Sequence, residues 1–301
     1  VGLLQVKILG ISGSPRKAAT QFVVQEALRA AGEIPGVETE FIDLRGKEIH
    51  HCIHCDRCIK EQADHCPAFK DDMYPLYAKL LQADGFIFGS PVYQMSPTAL
   101  MQAFLNRFRP LGRYISKGHW ATKVGGALAV GGTRHGGQET TLESINNFFF
   151  CNGMVVVSGG IFAYNGGSVW SNDKKEEGAR SDELGLSTAR VIGRRVAVTA
   201  KLLKAGLSNF MGTIDPGQLV GLRDRQELKI KSTNSDIVRV KLRVSIAEVD
   251  ENGKKYGRRP GLDSLSCDYQ VILMIPYLMV MSTLAGVVGK VESPPWWANL
   301  I

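Results

Sequence analysis

The sequence predicts an α/β fold: a doubly wound, five-stranded parallel sheet over residues 1–206, with a β-rich region over 207–301. Two observations predict it. Short apolar runs alternate with stretches of helical periodicity five times between residues 5 and 204, the pattern of a parallel sheet covered on both faces. The chain also carries 33 glycines, several of them in the turns that follow those runs.

The elements follow in order. Gln5–Ser12 is an apolar run, read as a strand buried on both faces, and Gln21–Ala31 has helical spacing. Val37–Leu44 reads as the second strand. Residues 50–70 form a cysteine-rich loop, and Asp71–Ala83 reads as a helix with acidic residues in its first turn. Gly85–Gly89 is the third strand and Pro97–Phe108 a helix. Lys123–Val130 is the fourth strand, Glu139–Cys151 a helix, Met154–Ser158 the fifth strand, and Ser181–Lys204 a long helix. Three unusual loops, at 13–20, 90–96 and 131–138, each follow a strand. In an open parallel sheet, ligands bind outside the carboxyl ends of the strands, so these loops are expected along one edge.

Beyond residue 206 the character changes. Leu228–Val249 has β patterning, followed by a turn at Glu251-Asn252-Gly253. Tyr269–Gly289 carries no charge, a length that suits either a membrane contact or two buried strands broken by Pro276. Pro276, Gly286 and Gly289 favour the buried reading.

Several function classes are excluded. The net charge of +7 is dispersed, with no basic tail or stripe, so nucleic-acid binding is not expected. No Ser-His-Asp or Cys-His arrangement points to hydrolysis. The loop at 13–20 lacks the Lys-Ser/Thr ending of a nucleotide-triphosphate loop. Val1–Ser12 reads straight into a strand without a signal peptide, and clustered thiols suit a reducing compartment, so a cytoplasmic location is expected.

Four of the six cysteines lie in one run: Cys52, Cys55, Cys58 and Cys66. Thiolates this close can face one soft metal centre, an iron–sulfur cluster or tetrahedral zinc. His51, His54 and His65 leave a mixed Cys/His zinc site open. Cys151, after three phenylalanines, reads as a buried small hydrophobe. The loop Gly13-Ser14-Pro15-Arg16-Lys17-Ala18-Ala19-Thr20 offers backbone N–H groups, hydroxyls of Ser12, Ser14 and Thr20, and Arg16 to a phosphate; the alternative is a capped helix start.

Taken together, Gly13-Ser14-Pro15-Arg16-Lys17, Gly89-Ser90-Pro91-Val92-Tyr93, Gly131-Gly132-Thr133-Arg134 with Gly136-Gly137-Gln138-Glu139-Thr140, and the cysteine loop resemble the iron–sulfur flavoproteins. That family is the NADPH-dependent FMN reductase branch of the flavodoxin-like superfamily. The resemblance covers residues 5–204. It implies FMN at the carboxyl edge of the sheet, with Ser12, Ser14, Arg16 and Thr20 at its phosphate. It implies Pro91, Val92 and Tyr93 lining the isoalloxazine ring, with Gln94 and Met95 near it and Gly132, Thr133 and Arg134 closing the other side. Ala19, Thr20 and Gln21 stand where the family has Ser-Asn-Thr, a loss of at least one hydroxyl contact. A packed core aromatic is the alternative role for Tyr93.

The same resemblance implies a [4Fe–4S] cluster on Cys52, Cys55, Cys58 and Cys66, with zinc as the rival. It implies an electron-transfer oxidoreductase that couples two-electron flavin chemistry to one-electron cluster chemistry. Ferredoxin, NAD(P)H, a quinone or a small oxidant are the expected partners. A homo-oligomer, dimer or tetramer, is expected, in which one subunit's cluster approaches its neighbour's flavin. The alternatives are an NAD(P)H-dependent FMN or quinone reductase with a structural zinc loop, and a docking module without redox work.

Overall fold

The computed structural model describes residues 4–115 and 117–209, which belong to the first of two compact units, Val1–Lys229. The expectations for residues 210–301, including the turn at 251–253 and the uncharged stretch 269–289, lie outside the described residues.

The first strand, β1 (Val6–Ser12), is buried along almost its whole length, as its apolar run predicts. Helix α1 (Ala19–Gly32) packs so closely on it that a Cβ at Gly10 would lie 2.5 Å from Leu28 Cδ1. Only glycine admits that approach. β2 (Val37–Asp43) pairs parallel with β1 at one edge, with Glu38 and Thr39 exposed, Glu40 and Phe41 half-buried and Ile42 buried. The cysteine loop follows, with a single helical turn, α2 (Arg57–Lys60), and then α3 (Tyr74–Gln82).

β3 (Gly85–Tyr93) lies between β1 and β5 (Val124–Gly131), parallel to both. It runs four residues beyond the predicted strand end and turns straight back into β4 (Ser96–Pro97). Helix α4 (Ala99–Asn106) begins later than predicted because Pro97 belongs to β4 and Thr98 is the cap, its hydroxyl accepting the Met101 N–H at 3.1 Å. A 3-10 turn, Arg109–Tyr114, succeeds it. Helix α5 (Gln138–Cys151) returns the chain to the far edge of the sheet.

The predicted fifth strand is interrupted. β6 (Val155–Val156) pairs with Val124 and Gly125, the chain leaves the sheet, and β7 (Gly167–Trp170) takes up the other half of β5, opposite Leu128–Gly131. Glycines mark both breaks. Gly160 has φ +91°, and Gly166 has φ +141° with Ala127 O only 2.5 Å from where its Cβ would be. β7 was not predicted, nor was the short helix α6 (Lys175–Ser181) that precedes the long helix α7 (Glu183–Asn209).

The strand order is therefore β2-β1-β3-β5-β6, with β7 continuing the β6 position. This is the flavodoxin-like winding, and the fold class is as predicted. One core lies between the sheet and α3, α4 and α5, rich in aromatics (Phe86, Phe88, Phe104, Phe108, Phe149, Trp120). The other lies beneath α1 and α7, built of alanine, valine, leucine and isoleucine. Cys151 is exposed rather than buried. It ends α5 two residues past buried Phe149, which turns it about 200° around the helix and off the core face. Among the described residues, no helix is long and apolar enough to cross a membrane.

Candidate functional site

The three loops meet at the carboxyl edge of the sheet, as expected from their places after β1, β3 and β5. The first two are joined directly. Gly13 N–H donates to Gly89 O at 2.8 Å, and the Thr98 hydroxyl donates to Gly13 O at 2.6 Å. Ser90 Oγ accepts the Thr98 N–H at 3.0 Å. The second and third loops are joined by the Thr140 hydroxyl, which donates to Met95 O at 2.6 Å.

The first loop has the makings of an anion site. Ser12, Ser14 and Thr20 are all buried, and Arg16 is exposed. The Ser14 hydroxyl shapes the turn, donating to Arg16 O at 2.7 Å and accepting the Arg16 N–H at 3.1 Å. Helix α1 begins at Ala19 with Ala18 in the cap position, and no side chain caps it. The capped helix start that competed with a phosphate site is therefore absent. Its first-turn N–H groups lie at the positive end of the helix dipole without a side-chain cap.

The second loop is a two-residue hairpin turn. Tyr93 pairs with Ser96, and Gln94 and Met95 between them have φ +50° and +61°. Two consecutive non-glycine residues in the left-handed region are costly, and such strain collects at functional positions. Pro91 is buried and Val92 half-buried, while Tyr93, Gln94 and Met95 are exposed side by side. Tyr93 is thus not a packed core aromatic; it is 39% exposed at the tip of the strand.

The third loop is clamped by Gln138, which lies within its own motif, and by Trp170, which the sequence did not single out. Gln138 Nε2 donates to Thr133 O at 2.7 Å, and its Oε1 accepts the Gly136 N–H at 2.8 Å. Trp170 Nε1 donates to Gly132 O at 2.9 Å. The exposed Asp173 carboxylate lies against Gly132, with Oδ1 2.1 Å from where a Cβ would be, so a side chain there would have to push Asp173 aside. The signal that could have found Trp170 is the short β run Ser168-Val169-Trp170 after Gly166-Gly167.

The cysteine loop leaves β2 at the same edge. Cys52, Cys55, Cys58 and Cys66 all line one small depression, together with Phe69, Arg107 and Arg109. Among the described residues, no three Cys, His, Asp or Glu side chains already stand at metal-ligand distance. The donor set that lines the depression contains no histidine: His51 and His54 are exposed, and His65 stands edge-on to Tyr74 with ring centroids 5.0 Å apart. Cys58 lies on α2 and is buried; burial, reinforced by the nearby Cys66, pushes its thiol up against the pull of Arg109. The His54 N–H donates to Cys52 Sγ at 3.4 Å.

The loop is tied to the end of α4 and the turn after it by charge. Arg107 is buried and bidentate on buried Asp71, at 2.6 and 3.0 Å, and donates to His50 O at 2.8 Å. Arg109 pairs with Asp56, and Arg113 with Asp64 and Gln62 O. Asp71 and Asp72 were expected in the first turn of a helix. They precede α3 instead, accepting N–H groups of the loop: His50 and Met73 on Asp71, Glu48 on Asp72. Burial opposes ionisation of Asp71, but Arg107 and these N–H bonds outweigh it and hold its carboxyl below the usual range. Burial pushes the Tyr77 phenol up to about 12, and its hydroxyl donates to Arg107 O at 3.0 Å.

The buried Nε atoms of Arg107 and Arg109 have no protein partner. Unpartnered guanidinium N–H groups on two arginines that line the same depression as the four cysteines fit an anionic metal–thiolate centre, which offers sulfur acceptors and negative charge.

The fold and the gathered loops define an FMN-dependent oxidoreductase, and comparison with known proteins agrees. The family described as NADPH-dependent FMN reductase matches residues 6–168. An iron–sulfur flavoprotein of Methanocaldococcus jannaschii is 43% identical over 201 residues, covering 66% of this chain and 100% of that protein. One of Archaeoglobus fulgidus is 44% identical over 191 residues, covering 63% of this chain and 95% of that protein. Among solved structures, RosB with bound 8-demethyl-8-formylriboflavin-5′-phosphate covers 88% of this chain and 100% of its own, with a TM-score of 0.53 at 15% identity, a likeness of fold. The chain belongs to the iron–sulfur flavoproteins, within the NADPH-dependent FMN reductase family.

Proposed function

We propose that the protein is an electron-transfer oxidoreductase in which FMN works with a [4Fe–4S] cluster on Cys52, Cys55, Cys58 and Cys66. The observation that carries this reading is the single depression lined by all four cysteines and by two arginines with unpartnered Nε groups. When bound, FMN supplies two-electron chemistry and the cluster one-electron transfer, so together they join partners of the two kinds.

The protein's own groups supply placement and charge. The uncapped N-terminus of α1, the hydroxyls of Ser12, Ser14 and Thr20, and the Arg16 guanidinium hold the FMN phosphate. Pro91, Val92 and Tyr93, with Gln94 and Met95 at the hairpin turn, form one wall of the ring site. Gly132, Thr133 and Arg134 close the other. At the cluster, Arg107 and Arg109, whose charges Asp71 and Asp56 balance, offer their unpartnered Nε–H groups to sulfur, and Phe69 shields one side from water. The electron donor and acceptor are small or protein redox partners, NAD(P)H, a quinone or a ferredoxin, and the working form is a homo-oligomer.

Iron and acid-labile sulfide measured on anaerobically purified protein test this reading. About four of each per chain are expected; stoichiometric zinc without sulfide sinks it and leaves an FMN reductase with a structural zinc loop. Cys55→Ala is expected to remove the brown cluster absorbance and leave most of the yellow flavin. Retention of both chromophores would reject the ligand assignment.

A further inference from the structure

Arg134 sits at the tip of the loop after β5, between Thr133 and His135, and His135 is in the left-handed region at φ +51°. The backbone on both sides is pinned, by Gln138 on Thr133 O and the Gly136 N–H and by Trp170 on Gly132 O. The Arg134 side chain is exposed and, among the described residues, makes no ion pair. Its guanidinium lies over the indole of Trp170, whose ring centroid is 4.1 Å from Arg134 Cζ. Trp170 is itself well anchored. It ends β7 opposite Gly131, and its backbone N–H donates to Asp182 Oδ2 at 2.7 Å. Asp182 caps the start of α7, accepting the Gly185 N–H on Oδ1 at 3.1 Å.

A lone cation on an exposed loop tip samples many rotamers. A ring beneath it removes most of that freedom and leaves the N–H groups at its rim free to donate. We propose that Trp170 is the positioning residue for Arg134: the indole holds the guanidinium as a fixed, unneutralised cation at the flavin loop, where it favours reduced over oxidised FMN. The physical reason is charge. Each electron taken up without a proton adds a negative charge to the flavin, and a nearby fixed cation stabilises that charge. Among the described residues no carboxylate forms an ion pair with Arg134; the nearby Asp173 carboxylate lies against Gly132 instead. The indole N–H on Gly132 O couples the same side chain to the loop backbone, so a single residue sets both the path of the loop and the place of its charge.

This inference rests on the reading that the three loops hold FMN. Its test reads the midpoint potential of bound FMN, by spectroelectrochemical titration, and the FMN dissociation constant of the apoprotein. Arg134→Gln is expected to lower the affinity ratio of reduced to oxidised FMN about tenfold, equivalent to about 30 mV for two electrons. Trp170→Leu is expected to lower it by a similar factor. The double variant should be no lower than either single one, because both remove the same positioned charge. Trp170→Phe, which keeps an aromatic face, should retain most of the wild-type potential. Arg134→Gln alters an exposed side chain and leaves the fold intact; an unchanged potential in that variant overturns the inference. So does a Trp170→Leu effect that adds in full to that of Arg134→Gln. Wild-type protein that takes up no FMN would instead reject the underlying site.

Discussion

The three strand-end loops and the cysteine loop leave the same edge of one sheet, yet they are held in different ways. The strand-end loops are short continuations of β1, β3 and β5, and their mutual bonds run through backbone and neutral hydroxyls: Gly13 to Gly89, Thr98 to Gly13, Thr140 to Met95. Their positions follow from the strands. The cysteine loop follows an edge strand and has one helical turn of its own. It carries three non-glycine residues in the left-handed region, His54, Asp56 and Gln62, and charged side chains from Arg107, Arg109 and Arg113 clamp it. A site built on strand ends inherits the stability of the sheet. A site built on an excursion needs its own anchors, and here these are ion pairs, which respond to acid, salt and substitution.

The largest effect should come from the buried anchor. Arg107→Met leaves the Asp71 carboxylate buried without its cation, and loss of one partner of a buried pair costs about 3–5 kcal/mol. Denaturant titration should show that loss, and iron content should fall while FMN uptake by the intact fraction persists. A variant as stable as the wild type would show that the cysteine loop does not depend on this pair. The same pair sets an acid limit. The Asp71 carboxyl titrates below its unfolded value, so its contribution is complete above the usual carboxylate range, near pH 4, and is lost as pH falls through the lowered value. Denaturation midpoints measured from pH 5 to pH 3 should fall for the wild type and stay flatter for Asp71→Asn.

An intermediate effect is expected on the flavin side. Thr98 caps α4 and donates to Gly13 O, so Thr98→Val removes a cap and orphans a buried carbonyl. About 1–2 kcal/mol of stability should go, with weaker FMN binding and unchanged iron content. The smallest belongs to the rim of the cysteine loop. Asp64 is half exposed between Arg113 and Tyr114, and Asp64→Asn should cost less than about 1 kcal/mol, shrinking further at high salt. If Asp64→Asn costs as much as Arg107→Met, the loop is held at its surface rather than at its buried end.

Much of this was legible in the residues. Alternating apolar runs and helical spacing are local properties, so the five sheet positions and the long helices could be read in order. The three strand-end loops could be placed on one edge because parallel winding puts every such loop there. Four cysteines in fifteen residues lie close in space whatever the rest of the chain does. What escaped was cooperative. The break of the fifth position into β6 and β7 depends on the whole of β5 offering a partner after an excursion. Asp71 resembled a helix-start acid and became the mate of an arginine 36 residues away. Cys151 looked buried because its neighbours are apolar, but the turn of α5 carries it to the outside.

By itself, the sequence determined the kind of chemistry: the thiols, hydroxyls and glycines that a metal centre and a phosphate require, at spacings that bring them together within single loops. Only the tertiary structure decided how those groups are held. Arg107, Arg109 and Trp170 reach their partners across distant segments, and Gly166 is needed where the Ala127 backbone presses against it. Such contacts form between residues far apart in the chain, and no local pattern encodes them.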